Sequence, residues 1–200
     1  MSLAGPLQIA VRVGEAFDKL GVRWVVVGAL AASLYGIPRA THDVDLYAEL
    51  ALEQVDALLA DLSAGFFADK KQVVSGIQNR SWFSVVHIAT MTKVDVFLSR
   101  DESLAKAQLD RRVNFRVYRS EAILPLLSAE DTVLQALAWY RRSERKAVQQ
   151  RQDAVGVLRV CGATLDRQYL KKVAKQEKLT GLLESAERDA QGSGHGPTTG

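Results

Sequence analysis

Cysteine is almost missing from this 200-residue chain. Cys161 stands alone, so no disulfide can form within the chain, and a reducing cytoplasm is the expected setting. It lies in the apolar stretch VLRVCG, where a thiol reads as a packing group and not as a nucleophile. Long apolar runs are missing too. The longest uncharged run, Trp24 to Pro38, falls short of the roughly 20 apolar residues a membrane span needs, and it contains Gly, Ser and Pro. The first residues show neither the basic start nor the apolar run of a signal peptide. No membrane partner is expected. A strong charge of one sign is also absent, the net value being +3. Residues 1–100 carry nine Lys/Arg against ten Asp/Glu, and residues 101–200 carry seventeen against thirteen. That mild basic excess suits a solvated helical surface or contact with a polyanion such as RNA. An apolar fraction of 48% allows a sizeable core, organised as one domain or as a domain with a helical extension.

One stretch organises the rest: Trp24 to Leu46, WVVVGALAASLYGIPRATHDVDL. It reads as a buried strand, a glycine turn at Gly28, a short helix over 29–35, a basic loop and a strand bearing Asp43 and Asp45. Residues i and i+2 of a strand share a face, so the two carboxylates stand side by side and repel unless a cation intervenes. Paired carboxylates of this kind suit Mg²⁺, which prefers oxygen ligands and is commonly held by one or two carboxylates plus substrate phosphates. The glycine permits positive φ and close approach of a ligand, and the helix N-terminus after it offers free N–H groups to an anion. Arg39 can pair with a phosphate or with a carboxylate. His42 is expected on the opposite strand face, away from any ligand role.

A glycine after an apolar strand followed by Arg39-x-Thr41-x-Asp43-x-Asp45 resembles the core motif of the polymerase-β-like nucleotidyltransferase superfamily. More narrowly it resembles the small prokaryotic nucleotidyltransferases grouped with AbiEii and MenT-type toxins. The similarity runs from about Val22 to the helices ending near Leu183. The resemblance implies a third carboxylate on a later strand, and KVDVFL supplies Asp95. It implies that Asp43, Asp45 and Asp95 hold two Mg²⁺ ions. Asp43 and Asp45 would carry the metal of the triphosphate, while Asp95 would share the second ion and help activate an acceptor hydroxyl. Gly28, Ala29, Ser33, Arg39, Thr41 and Lys93 are the expected nucleotide-binding positions. Ser128-Ala-Glu-Asp, Arg151-x-Asp153 and LDRQYLKKVAK resemble the C-terminal half of the AbiEii-like proteins, which makes Asp153 part of the active region.

The fold expected is α+β: a small mixed sheet flanked by helices over residues 1–125, a helical C-terminal region over 126–190, and a disordered Gly/Ser/Thr-rich tail over 191–200. Apolar spacing predicts helices from Pro6 to Leu20 and from Leu52 to Leu62. Phe66–Ser75 reads as a short strand and turn, Gly76–Ser81 as a loop, and Trp82–Ala89 and Lys93–Leu98 as strands. His87 reads as a packed or edge histidine. A helix capped by Ser99 or Asp101 and a half-exposed strand over 113–118 follow, with Arg111, Arg112 and Arg119 forming a basic strip. In the helical half, Val133, Leu134, Leu137 and Trp139 are expected to face the core.

Two departures from the family pattern bear on activity. The turn is Gly28-Ala29, where relatives carry Gly-Gly or Gly-Ser, so a hydroxyl contact to phosphate is missing while the backbone donors remain. Relatives also place a lysine in the helix after the Glu-Asp pair, where this chain has Ala136 beside Gln135; that implies a weaker enzyme, a different phosphate contact from Lys93 or Arg141, or loss of transfer altogether. The activity implied is transfer of an NMP from an NTP to a hydroxyl of RNA, such as a tRNA end, or of a protein, by the toxin half of a toxin–antitoxin pair. The alternative is a non-catalytic protein of the same fold that binds nucleotide, RNA or a protein partner. A small-molecule acceptor such as a cationic antibiotic would call for an acidic pocket, against the basic second half.

Overall fold

The structure is a computed structural model that describes residues 4–98, 102–117 and 121–192. The chain divides into two compact units: residues 1–30 with 40–127, and residues 31–39 with 128–200.

The first unit is built on a seven-stranded mixed sheet in the order β3-β4-β5-β2-β1-β7-β6. These strands are β1 (Trp24–Val27), β2 (Val44–Ala48), β3 (Phe66–Phe67), β4 (Trp82–His87), β5 (Thr92–Phe97), β6 (Val113–Arg116) and β7 (Ile123–Leu126). All four side chains of β1 are buried, as a central strand covered on both faces requires. Helix α1 (Ala4–Lys19) packs on the sheet through Ala10, Val13 and Phe17. Gly14 is required there, since a Cβ would lie 2.1 Å from the Trp24 ring. Val25, Val27, Leu109 and Leu127 form a core cluster with Tyr47 against it. Leu109 comes from α5 (Glu102–Asp110).

The register of this sheet decides the site. β1 runs antiparallel to β2 with Val27 opposite Asp45. β2 runs parallel to β5 with Asp45 directly beside Asp95. β5 runs antiparallel to β4 with Asp95 opposite Ser84.

Several expectations need correction. Asp43 sits one residue before β2, so only Asp45 of the pair lies within the strand. The span 70–78, read as turn and loop, is helix α4 (Lys70–Gln78), capped by the Asp69 carboxylate, which accepts the Lys71 N–H at 2.8 Å. Its β-branched valines and Gly76 disguise it. Gly76 is present because a Cβ would meet the Trp82 carbonyl oxygen at 2.9 Å. The stretch 52–62 divides into a 3-10 turn (Leu52–Gln54) and helix α3 (Val55–Leu62). β7 went unread in the sequence; it is a parallel neighbour of β1 and contains Pro125. Ser99 and Asp101, offered as caps, Tyr118 of the expected strand and Arg119 of the basic strip lie outside the described residues.

The second unit is helical. It holds the end of α2 (Gly28–Tyr35), then α6 (Ala129–Arg142), α7 (Val148–Cys161), α8 (Arg167–Gln176) and α9 (Thr180–Gly192). Its core draws Val133, Leu134 and Leu137 from α6, Val157 and Leu158 from α7, Leu170 from α8 and Leu183 from α9. Trp139, expected in that core, is 43% exposed and lies under the Arg142 guanidinium, 5.8 Å away. Ser128 caps α6: its Oγ accepts the Asp131 N–H at 3.1 Å and donates to the Asp131 carboxylate at 2.8 Å. Asp131 is fully buried and also accepts the Tyr169 hydroxyl at 2.7 Å. Glu130 accepts the Asp166 N–H at 2.8 Å, and Asp166 in turn caps α8. Gln191 and Gly192 close α9, so the helix enters the stretch read as tail; residues 193–200 lie outside the described residues.

Candidate active site

Gly28 opens the site. Its φ is +63°, in the left-handed region, and a Cβ there would stand 2.2 Å from Asp45 Oδ2. Both the backbone and the carboxylate therefore demand glycine. The turn delivers the Ala29 N–H to the Asp45 carboxylate. A helix N-terminus thus begins by satisfying a protein carboxylate.

Asp45 is under electrostatic stress. Burial first, then the charges of Asp95 and Asp43, push its pKa from 3.8 up to about 6, against the opposing pull of Lys93 and the Ala29 hydrogen bond. Asp95 is better provided for. Its Oδ1 accepts the Ser84 hydroxyl at 2.5 Å, and its Oδ2 lies 2.8 Å from Lys93 Nζ. Lys93 and Asp95 are two apart on β5 and share a face, as the strand period requires. The pairing with Asp95 raises the Lys93 pKa above its ordinary value. Asp43 is exposed, and its carbonyl accepts the Thr41 hydroxyl at 3.0 Å. The first unit therefore brings together Gly28, Ala29, Asp43, Asp45, Lys93 and Asp95, and Thr41 shapes the approach to Asp43. Ser84 belongs with them and escaped the sequence reading. Its signal was there: in β4, Phe83 and Val85 point into the core and Ser84 points the other way.

Among the described residues no group of three His, Cys, Asp or Glu side chains converges closely enough to hold a metal ion as it stands. The donor chemistry nevertheless fits a divalent cation. Three carboxylates share one ammonium, and burial together with the charges of Asp95 and Asp43 holds the Asp45 carboxyl above the usual carboxylate range.

The second unit holds the other expected residues. Arg39 grips Asp153 with two parallel hydrogen bonds, Nε to Oδ1 at 2.8 Å and Nη2 to Oδ2 at 2.9 Å. The Asp153 side chain is only 8% exposed, so this is a bidentate, largely buried pair. Ser33 is buried, with its Oγ 3.4 Å from both the N and the O of Arg39. Arg141, offered as a stand-in phosphate contact, donates to the carbonyls of Glu177 and Lys178 at the end of α8. Cys161 is half-buried, donates to the Tyr35 carbonyl at 3.3 Å, and is held protonated by burial. His42 is exposed, and His87 packs on Phe66 with ring centroids 5.0 Å apart.

No family model and no curated protein matches this sequence. Solved structures do. A nucleotidyltransferase-like antigenic protein from Paracoccidioides brasiliensis aligns over 92% of this chain and 92% of its own, with a TM-score of 0.54 and 16% identity. The fold is that of nucleotidyltransferase-like proteins. The antibiotic-resistance factor ANT(2'')-Ia also aligns, over 92% of this chain and 97% of its own, with a TM-score of 0.50 and 12% identity. At such identities the likeness is one of fold. Within this nucleotidyltransferase-like fold, the carboxylates at the Gly28 turn are the site that chemistry picks out.

Proposed function

We propose that this protein is a Mg²⁺-dependent nucleotidyltransferase that moves an NMP from an NTP to a hydroxyl of RNA, with release of pyrophosphate. The observation that carries the reading is Asp45 beside Asp95 on adjacent parallel strands, with Asp43 close enough to act on Asp45 and the Gly28 turn directly over it. Asp43, Asp45 and Asp95 would hold the metal. When bound, Mg²⁺ would neutralise phosphate charge and lower the cost of bringing a hydroxyl to the α-phosphorus. For Asp95 to take part, the Lys93 ammonium must release it and is then available to a phosphate oxygen. Asp95, held by the Ser84 hydroxyl, would accept the proton of the acceptor hydroxyl. Positioning and charge neutralisation supply most of the rate. An RNA acceptor fits the basic second half of the chain, and a toxin of a toxin–antitoxin pair is the role that fits such a target. A cationic drug as acceptor is disfavoured, because the helical unit carries an arginine-lined cleft and not an acidic one.

A second reading has its own support. Lys93 already supplies Asp95 with a cation, and Ser84 locks the same carboxylate, which suits a non-catalytic binder of nucleotide, RNA or protein.

Label transfer separates the two. The pure protein is incubated with Mg²⁺, each α-labelled NTP in turn and total cellular RNA, with Asp43→Asn as control. Label on an RNA band with the parent alone is the expected result. Label on protein would change the acceptor. No label, with Mg²⁺-dependent NTP binding retained, would give the case to the binder.

A further inference from the structure

The carboxylate face of the sheet carries a second row of side chains. The register sets Trp82 opposite Phe97 across β4 and β5, and Phe97 beside Tyr47 across β5 and β2. Trp82, Phe97 and Tyr47 stand two residues from Ser84, Asp95 and Asp45, so both rows lie on one face. An aromatic row therefore runs beside the carboxylate row, about 7 Å further along the strands. Its inner end is packed: Tyr47 lies against the cluster of Val25, Val27, Leu109 and Leu127. Phe97, in the middle, is half-buried. The outer end is open. Trp82 is 47% exposed, and its indole makes no hydrogen bond or ring contact among the described residues. β3 pairs only with Val86 and His87, so among the described residues no strand flanks the Trp82 end of β4 on its outer side. Trp24 shows what a structural tryptophan looks like in this sheet: it is 4% exposed and its Nε1 donates to Asp18 at 2.7 Å.

We propose that Trp82, with Phe97 beside it, is a stacking platform for a base of the acceptor RNA, continuous with the carboxylate site. Strand order gives the side. The Gly28 turn follows β1, Asp45 lies on β2, Asp95 on β5 and Trp82 on β4, and these four strands are neighbours in that order. In the transfer reading the triphosphate lies at the Gly28 turn and the acceptor hydroxyl at Asp95. β4 is then on the acceptor's side of Asp95, away from the triphosphate. An exposed indole beside the reacting hydroxyl offers a flat face to the base next to it. Every base has such a face, so the contact tolerates any sequence. Bases inside a duplex are already stacked on one another, so the platform selects a single-stranded end. The inference rests on the transfer reading for the place of the acceptor; the stacking itself does not depend on it.

The test is binding of a fluorescent single-stranded RNA to the full-length protein, read by anisotropy with Mg²⁺ present. Trp82→Ala should weaken binding by about 5- to 150-fold, the range for losing one base–aromatic stack. Trp82→Phe keeps a ring and should recover most of that loss. Trp139→Ala removes an indole of similar exposure from the helical unit and should change nothing. Mg²⁺-dependent NTP affinity of Trp82→Ala should match the parent's, which separates an acceptor base from the base of the NTP. A further arm needs no variant to fold. RNA with abasic residues at its 3′ end should bind the parent more weakly than intact RNA, and that loss should not recur on Trp82→Ala. The inference falls if the parent does not bind RNA, if abasic and intact RNA bind the parent alike, or if Trp82→Phe recovers nothing. It falls also if Trp139→Ala loses as much, or if Trp82→Ala loses NTP binding and keeps RNA binding. Trp82-dependent RNA binding with no label transfer would sink the transfer reading and leave the platform standing; label transfer with an unchanged KM for RNA in Trp82→Ala would do the reverse.

Discussion

The two units solve opposite problems with the same pairing. In the first, three carboxylates share one ammonium; in the second, four guanidiniums share two carboxylates. The first therefore carries excess negative charge at the Gly28 turn, whereas in the second Asp153 and Asp189 are each matched by an arginine. At the part-buried Gly28 turn such excess is costly and calls for a compensating positive charge. The contrast assigns a cation to the first region and leaves the second matched within itself at Asp153 and Asp189. It also separates residues with similar names. Asp45 is a carboxylate whose charge the fold resists, and Asp153 is one whose charge the fold uses.

The largest effect should come from Gly28→Ala. The left-handed backbone costs roughly 1–2 kcal/mol for any side chain, and the collision with Asp45 adds about 1–3 kcal/mol. Thermal melting should show a loss of about 2–5 kcal/mol, and label transfer should vanish. A variant that melts like the parent would mean the turn is not held against Asp45.

Next comes a pair of opposite signs. The folded pKa of Asp45, about 6, exceeds its ordinary 3.8, so folding favours the protonated form. The stability this group contributes is complete below about pH 4 and is lost as pH rises through 6. Asp45→Asn imitates the protonated form. It should stabilise the protein by about 2–3 kcal/mol at pH 7.5 and by nothing at pH 4. Asp153→Asn should do the reverse at pH 7.5, costing about 1–3 kcal/mol by breaking the bidentate, charge-assisted fork with Arg39. Denaturant melts at the two pH values read both, and two variants shifting in the same direction would end the contrast drawn above.

The smallest effect on stability, and the finest test, is Lys93→Gln. The lysine side chain is 41% exposed, so melting should change by less than about 1 kcal/mol. Mg²⁺ affinity, followed by calorimetry at pH 7.5, should rise, because Asp95 is released. Unchanged affinity would place the cation elsewhere than at Asp95.

How much of this was legible in the sequence follows from the range of each interaction. The Gly28 turn was legible because it is local; the strand period held for Asp45 alone, since Asp43 lies one residue before β2. The neighbour relation of Asp45 and Asp95 was a sound expectation because both lie in apolar strands that a small sheet must pair. Helix α4 was hidden because Gly76 and the β-branched valines answer to packing and not to helix propensity. β7 was hidden by Pro125, which weakens any strand reading. The Arg39–Asp153 fork joins residues 114 apart in the chain, and no local pattern announces it. Ser84 needed the register of β4 on β5, which only the folded sheet supplies.

The buried polar contacts of the helical unit carry a further consequence, for motion. The first turn of α6 and the first turn of α8 are sewn together by Asp166 N–H to Glu130 and by Tyr169 to Asp131, while Ser128 and Asp166 cap the same two turns. Loosening either helix start would take a hydrogen bond from a buried carboxylate of α6, which couples the two ends. The two ends form one cooperative unit of opening, in which amide exchange at both would occur in a single event.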